Sequence, residues 1–223
     1  MRYFIDTEFI EGFHKPLFGK KRHFIDLISI GIVAEDGREY HAVSTEFRAK
    51  DADDWVRENV IAKLPNRHID GYSSPRHREE SRLWKSNQRI ARDIEEFFGL
   101  YEPTPVDTDI QIYAYYADYD WVLFCSLFGR MIDLPEGMPM YCRDLKQMLD
   151  EAYMHQEFAY EGKTRLQAWL QDVKTLPTFP QQSNEHDALA DARWNRDLFV
   201  FLQRLENGTL PPKISLSAKN TEG

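Results

Sequence analysis

Three short stretches carry acids or a histidine at spacings that suit metal binding and proton transfer. In Asp6-Thr7-Glu8 the two acids lie two apart in a segment, residues 2–9, that alternates and is rich in β formers. On a strand their side chains project from one face, and carboxylates held that close repel unless a cation sits between them; oxygen-preferring divalent ions are the usual solution. A solvated strand edge would show the same tripeptide. In Tyr115-Tyr116-Ala117-Asp118-Tyr119-Asp120-Trp121 a strand gives way to a helix, where an α/β sheet delivers site residues at its carboxyl edge. Asp118 is placed to cap that helix and Asp120 to favour its dipole, roles that account for one acid better than for two. The third stretch, Glu185-His186-Asp187-Ala188-Leu189-Ala190-Asp191, opens the last helix. His186 and Asp191 lie about 140° apart around an ideal helix, so they do not share a face as an i, i+4 metal pair does. The spacing makes sense with Asp191 on the helix and His186 before it, on a mobile linker after Asn184, where an imidazole titrating near neutrality can act as a base. The plainer alternative is that His186 or Asp187 caps the helix.

These stretches need elements to hold them. Residues 2–9, 24–34 and 39–45 read as strands, and Asp36-Gly37 is a turn signal that pairs the second and third antiparallel. Residues 51–64 read as a helix stopped by Pro65, and 65–81 as a loop long enough to be functional or mobile. Leu83, Ile90, Ile94, Phe97 and Phe98 form one helical face ended by Gly99. Residues 110–116 read as a strand, 119–128 and 143–154 as helices, and 177–184 as a linker. The last helix covers residues 187–206, with Leu189, Ala192, Phe199, Leu202 and Leu205 as its buried stripe. The expected fold is α/β: a mixed sheet, antiparallel strands 1–3 and then parallel strands, flanked by helices. It occupies one domain over residues 1–206, with a loosely ordered tail at 207–223.

A chain of 223 residues buries a core without disulfides, and Cys125 and Cys142 form no metal-ligand pattern, which predicts reduced thiols in a cytoplasmic protein. No stretch approaches the roughly 18 apolar residues of a membrane span, and the opening residues carry acids where a signal peptide needs an apolar run. The formal charge of −9 argues, by itself, against a polyanionic partner. That sum hides local sign. Residues 11–23 carry four Lys or Arg against one Glu, and residues 65–85 carry five against three acids. Lys20, Lys21, Arg22, Arg76, Arg78 and Arg82 are therefore either solvated loop charges or phosphate contacts.

In this order and spacing, the three motifs resemble the DEDDh branch of the DnaQ-like 3′-to-5′ exonucleases. Asp6-Thr7-Glu8 matches the first motif and Asp120, after Tyr119, the second, with Asp118 at a variable position; His186 and Asp191 match the HxxxxD third. Asp-Thr-Glu-Phe-Ile-Glu from Asp6, Leu-Ile-Ser-Ile-Gly from Leu27, Glu-Asp-Gly-Arg-Glu-Tyr from Glu35, Ala-Val-Ser-Thr-Glu-Phe from Ala42 and His-Asp-Ala-Leu-Ala-Asp-Ala-Arg from His186 look like RNase AS, the polyadenylate-specific 3′-exoribonuclease family. The resemblance spans residues 1–206. It implies an RNase H-like fold and hydrolysis of single-stranded RNA from its 3′ end to nucleoside 5′-monophosphates, with a leaning to adenylate tracts. It further implies two divalent cations, Mg²⁺ or Mn²⁺, held by Asp6, Glu8, Asp120 and Asp191, with His186 taking the proton from the attacking water. Thr7 and Phe9 become candidate substrate contacts, although alternation turns Phe9 away from Asp6 and Glu8 and equally suits a core role. A homodimer is implied as well. Segments 13–23, 67–80 and 155–182 are longer than in the compact members.

Two readings compete. A 3′-5′ exodeoxyribonuclease would carry the same motif, because only a 2′-hydroxyl contact tells the sugars apart. A non-catalytic RNase H-like nucleic-acid-binding module would be free to lose some of the five positions, and all five are present. A metal phosphohydrolase built on His186-Asp187 needs further histidines on neighbouring helices, and the scattered ones offer no such set.

Overall fold

The computed structural model describes residues 1–14, 16, 18–67, 75–101, 109–154 and 163–207. Strands β1 (Arg2–His14) and β2 (Arg22–Ala34) form one long antiparallel hairpin, and β3 (Glu39–Ser44) returns beside β2. Gly37 turns the second hairpin at φ +91°, a conformation that favours glycine. Helices α1 (Asp54–Asn59) and α2 (Pro75–Arg82) precede a short strand β4 (Trp84–Lys85), and α3 (Asn87–Phe98) comes after it. Then come β5 (Gln111–Ala114), α4 (Asp118–Ser126), β6 (Arg143–Asp144), α5 (Leu145–Met154), α6 (Lys163–Lys174) and α7 (Ala188–Glu206). The sheet order is β4-β3-β2-β1-β5-β6; β3, β2 and β1 are antiparallel, and β4, β5 and β6 join parallel to their neighbours. This is the mixed sheet expected from the sequence and is consistent with an RNase H-like fold.

Each face of the sheet carries helices. On one, Ile5, Ile30 and Ile32 pack with Ile90, Ile94 and Phe98 of α3 and Leu123 and Phe124 of α4. On the other, Phe4 and Tyr113 meet Leu149 of α5, Trp169 of α6, and Leu198 and Phe201 of α7. Each such side chain, fully buried, stabilises the fold by about 1.5–3 kcal/mol. Because β2 is covered on both sides, its sequence is a near-continuous apolar run and not an alternating one.

One contact fixes the site. Gly31 on β2 pairs with Asp6 on β1, and a Cβ at Gly31 would lie 2.2 Å from the carbonyl oxygen of Ala188. Only a residue without a side chain lets the first turn of α7 rest on the sheet there. The close approach sets His186 and Asp191 beside the carboxylates of β1.

Several elements differ from the sequence expectation. Residues 51–64 are not one helix: 3-10 turns at Ala49–Asp51 and Ile61–Lys63 flank the six-residue α1. Across these breaks Ala52 and Val60 pack with Ile10 and Ile28. Part of the expected loop 65–81 is helix α2, opened by proline, whose fixed φ suits a first turn, and tied by an Arg76–Glu80 pair at 2.8 Å. Helix α6 lies in a segment where the sequence pattern above predicts no element. Leu83 precedes α3 and is not part of it, and residues 143–144 form β6 ahead of α5. The expected tail from residue 208 onward lies outside the described residues. Among the described residues, no helix is long and apolar enough to cross a membrane.

Candidate active site

Asp6, Thr7 and Glu8 lie on β1 where its parallel neighbour has already ended, since β5 pairs only with residues 2–4. The free edge of β1 is met by α4. The backbone N–H of Thr7 donates to Asp120 Oδ1 at 2.8 Å and its hydroxyl to the same oxygen at 2.7 Å, so the Asp120 carboxylate takes the place of a strand partner. Asp120 is buried, whereas Asp118 is exposed. Asp118 does not cap α4: Ala117 holds the cap position, and its N–H donates to Asp144 Oδ2 at 3.1 Å. Of the two acids in the second motif, only Asp120 faces the centre.

The third motif approaches from the other side. Asp187 caps α7 by accepting from the N–H of Ala190 at 2.9 Å, which relieves His186 of that role. Asp191 is buried and accepts from the His186 backbone N–H at 2.9 Å and from Gln182 Nε2 at 2.7 Å. The His186 ring meets Trp55 of α1 edge-on, centroids 4.8 Å apart, and Lys63 Nζ donates to the Glu185 carbonyl at 2.9 Å. The linker expected to be mobile is thus pinned from several sides. Asn184 and His186 hold φ values of +58° and +68°; the other non-glycine residue with positive φ among those described is Tyr116, φ +57°, beside the second motif. Strained backbone of this kind persists where surrounding contacts over-determine it, and functional sites concentrate it.

Charge is frustrated at this centre. Burial, and after it the neighbouring carboxylates Asp120, Asp191, Glu8 and Asp187, push Asp6 well above the ordinary carboxylate range. Burial with Asp191 and Asp120 pushes Glu8 up to about 8 despite the opposing pull of Lys63. Asp120 rises to about 7 through burial, even though both Thr7 bonds oppose it. Asp191 is raised by burial against its bonds to Gln182 and His186. Four acids that resist ionisation together define a site wanting positive charge. The donor set agrees: Glu8, His186 and Asp191 each offer a ligand atom, all within 4.8 Å of one another.

All five expected catalytic positions, Asp6, Glu8, Asp120, His186 and Asp191, converge. The expected substrate contacts are placed differently from one another. Thr7 is buried with both donors on Asp120, and Phe9 is half-buried, its ring 5.3 Å from that of Tyr119. Asn195 of α7 is a further tie, donating from Nδ2 to the Ile5 carbonyl at 2.8 Å. Motif and spacing do not reach Gln182, Lys63, Trp55 or Asn195. Asn195 has a legible signal, a polar residue on the apolar stripe of α7; the others come to the site by loop paths that no local pattern encodes.

A strained, acid-rich edge of a mixed α/β sheet, with a histidine against it, is a donor set that could hold cations. Residues 1–203 match the family model of the 3'-5' exoribonuclease Rv2179c-like domain. Two curated relatives, 3'-5' exoribonuclease MT2234.1 of Mycobacterium tuberculosis strain CDC 1551 / Oshkosh and 3'-5' exoribonuclease Rv2179c of strain ATCC 25618 / H37Rv, are each 39% identical over 194 residues, covering 86% of this chain and 88% of the relative. The chain belongs to the Rv2179c-like 3'-5' exoribonuclease domain family, whose members are hydrolases of phosphodiester bonds.

Proposed function

We propose that the chain is a DEDDh exonuclease of the RNase AS type, one cytoplasmic exonuclease domain over residues 1–206 that shortens single-stranded RNA from its 3′ end and favours adenylate tracts. The observation that carries this reading is the meeting of Asp6, Glu8, Asp120 and Asp191, each raised in pKa, beside His186. The four carboxylates would hold two Mg²⁺ or Mn²⁺ ions, hard cations suited to oxygen donors. When bound, such a pair supplies the charge that activates a water and steadies the leaving 3′ oxygen. The imidazole of His186 is a poorer match to an oxygen-preferring ion than to a proton, which favours the base over a ligand role. Trp55 and the Asp191–His186 backbone bond hold that imidazole toward the carboxylates. Thr7 keeps Asp120 in place and so acts on substrate indirectly; Phe9, with Tyr119, offers a ring surface to the terminal base. The products are nucleoside 5′-monophosphates. The family match and the names of the relatives support RNA as substrate. A homodimer is part of the same reading and is checked by sedimentation.

The test is incubation of the full chain with 5′-labelled single-stranded RNA and DNA of matched sequence, including an oligo(A), with Mg²⁺ or with EDTA. A metal-dependent ladder on RNA, fastest on oligo(A), is expected. A ladder on DNA alone selects the deoxyribonuclease reading, and no ladder on any substrate leaves the binding module.

A further inference from the structure

The β1–β2 hairpin continues beyond the sheet. Strand β3 pairs with β2 over residues 29–33 and β5 with β1 over residues 2–4, yet the β1–β2 ladder runs on to His14 and Arg22. At the junction the register shifts between Glu8 and Phe9, leaving Ile28 as an extra residue, a bulge of the kind that bends a strand pair and re-aims the residues beyond it. Residues 9–14 and 22–27 therefore form a two-stranded arm that leaves the sheet beside Asp6, Glu8 and Asp120.

The two faces of this arm differ. Ile10 and Ile28 seal one face against Ala52 and Val60, with Phe24 and Val56 beside them. The other face packs Leu27, Ile25 and Phe9 against the main core at its base and opens toward the tip, where it is aromatic. Phe9 meets Tyr119 at its base; Tyr119 Oη donates to Glu11 Oε1 at 3.1 Å, and His23 Nε2 bonds the same oxygen at 2.7 Å. Phe13 lies 62% exposed with its ring 5.6 Å from that of His23. Toward the tip Phe18 is 92% exposed, and Lys20, Lys21 and Arg22 are exposed with no ion pair to any described residue. The arm's two carboxylates are both engaged, Glu11 as above and Asp26 by Arg48 at 3.5 Å. Rings spaced along one face, with free cations beyond them, are the two components that hold single-stranded nucleic acid: planes for bases and charge for phosphates. A chain of net charge −9 must gather its positive charge locally to meet a polyanion, and here it does so on a lever rooted at the carboxylates.

We propose that the arm is the track for the RNA strand upstream of its 3′ end. Bases behind the terminal nucleotide continue outward from the Phe9–Tyr119 surface along Phe13, and Lys20, Lys21 and Arg22 take the phosphates further out. The proposal rests on the exoribonuclease reading and deepens it, giving the enzyme a grip on length that does not depend on sequence.

The test compares a labelled single-stranded RNA of about twelve nucleotides, within the usual span of such sites, with a trinucleotide. Binding to the full chain is followed by anisotropy in EDTA across a salt series, and shortening is followed in Mg²⁺. The variants are K20S/K21S, K20S/K21S/R22S and F13S, all changes at exposed positions. Removing three cations should weaken the long RNA about ten-fold and lower its salt slope by about 2, raising KM while trinucleotide turnover stays unchanged. K20S/K21S should show a smaller shift in the same direction, and F13S should weaken the long RNA without changing the slope. Unchanged affinity and slope for the long RNA in all variants overturns the proposal. So does equal loss on both lengths, or loss that tracks a change from dimer to monomer in sedimentation, which would make the arm a self-association surface. Failure of the exoribonuclease reading looks different: the wild type would shorten neither RNA in Mg²⁺, while binding in EDTA would still report on the arm.

Discussion

The two halves of the β1–β2 hairpin are one ladder built for two purposes. In the inner half, residues 3–8 paired with 29–34, β3 flanks β2, β5 and then α4 close the edge of β1, and helices cover both faces; Asp6 and Glu8 are carried there by neighbours such as Ile5, Ile30 and Ile32, which are fully buried. In the outer half the flanking strands are gone, one face opens toward the tip, and the chemistry turns from acid to aromatic and basic. The comparison teaches where precision is stored. Groups that must converge within a few ångströms sit where packing leaves no freedom, and groups that meet a flexible polymer sit where it does.

The largest effects should come from the inner half. Asp6→Ala should reduce shortening of RNA to background, because it removes one of the acids on which the proposed cation site depends. His186→Ala should slow turnover by roughly 10² to 10⁴ while the fold, read by circular dichroism, is kept. Near-normal turnover in the histidine variant would refute the base assignment and with it the idea that the pinned loop exists for chemistry.

Next in size is a contrast between two glycines of the same hairpin. Gly31→Ala puts a methyl group against the backbone of Ala188 and Leu189, at 2.2 to 2.5 Å, where only a shift of α7 can relieve it. That shift carries His186 and Asp191 away from Asp6, so at least a ten-fold loss of kcat is expected, with destabilisation of about 1–3 kcal/mol from overpacking. Gly12→Ala in the outer half meets only the edge of the Phe24 ring, at 2.9 Å. A side-chain ring can turn aside, and little change in melting or turnover is expected. Equal effects at the two positions would erase the distinction between the halves.

The same division explains how much of the molecule is legible in its sequence. The inner elements are readable because burial leaves a pattern: the apolar run of β2, the alternation of β1, the capped start of α7. Asp120 is distinguishable from Asp118 only by resemblance, and the burial of one and exposure of the other give the physical ground. Helix α6 is an element that sequence reasoning passes over although its signal is open, since Leu166, Trp169, Leu170 and Val173 fall at helical spacing. Helix α2 has no such stripe to read, being held by a proline start and a local ion pair. Trp55 and Lys63 cannot be connected to His186 and Glu185 from sequence, because their contacts depend on how two loops separated by more than a hundred residues fold back on one another.

The smallest effect separates the halves by their response to pH. In the unfolded chain the four acids ionise near about 4, whereas in the folded site Glu8 holds its proton up to about 8 and Asp120 to about 7, with Asp6 and Asp191 also raised. Between those limits the unfolded chain binds fewer protons than the folded one, so these groups contribute stability that is fully present below about pH 4 and is lost as pH rises toward about 8. In the proposed function, divalent cations would take the place of the missing protons. Mg²⁺ or Mn²⁺ should therefore raise Tm more at pH 8 than at pH 5, by linkage to the folded state, and Glu8→Gln should flatten both the pH slope and the gain from the ion. Changes in the arm, K20S/K21S included, should leave that pH-dependent gain intact, because no acid of the site lies beyond the bulge. An equal shift in Tm at the two pH values would mean that the ion binds elsewhere, and the frustrated charge of the inner half would then need another explanation.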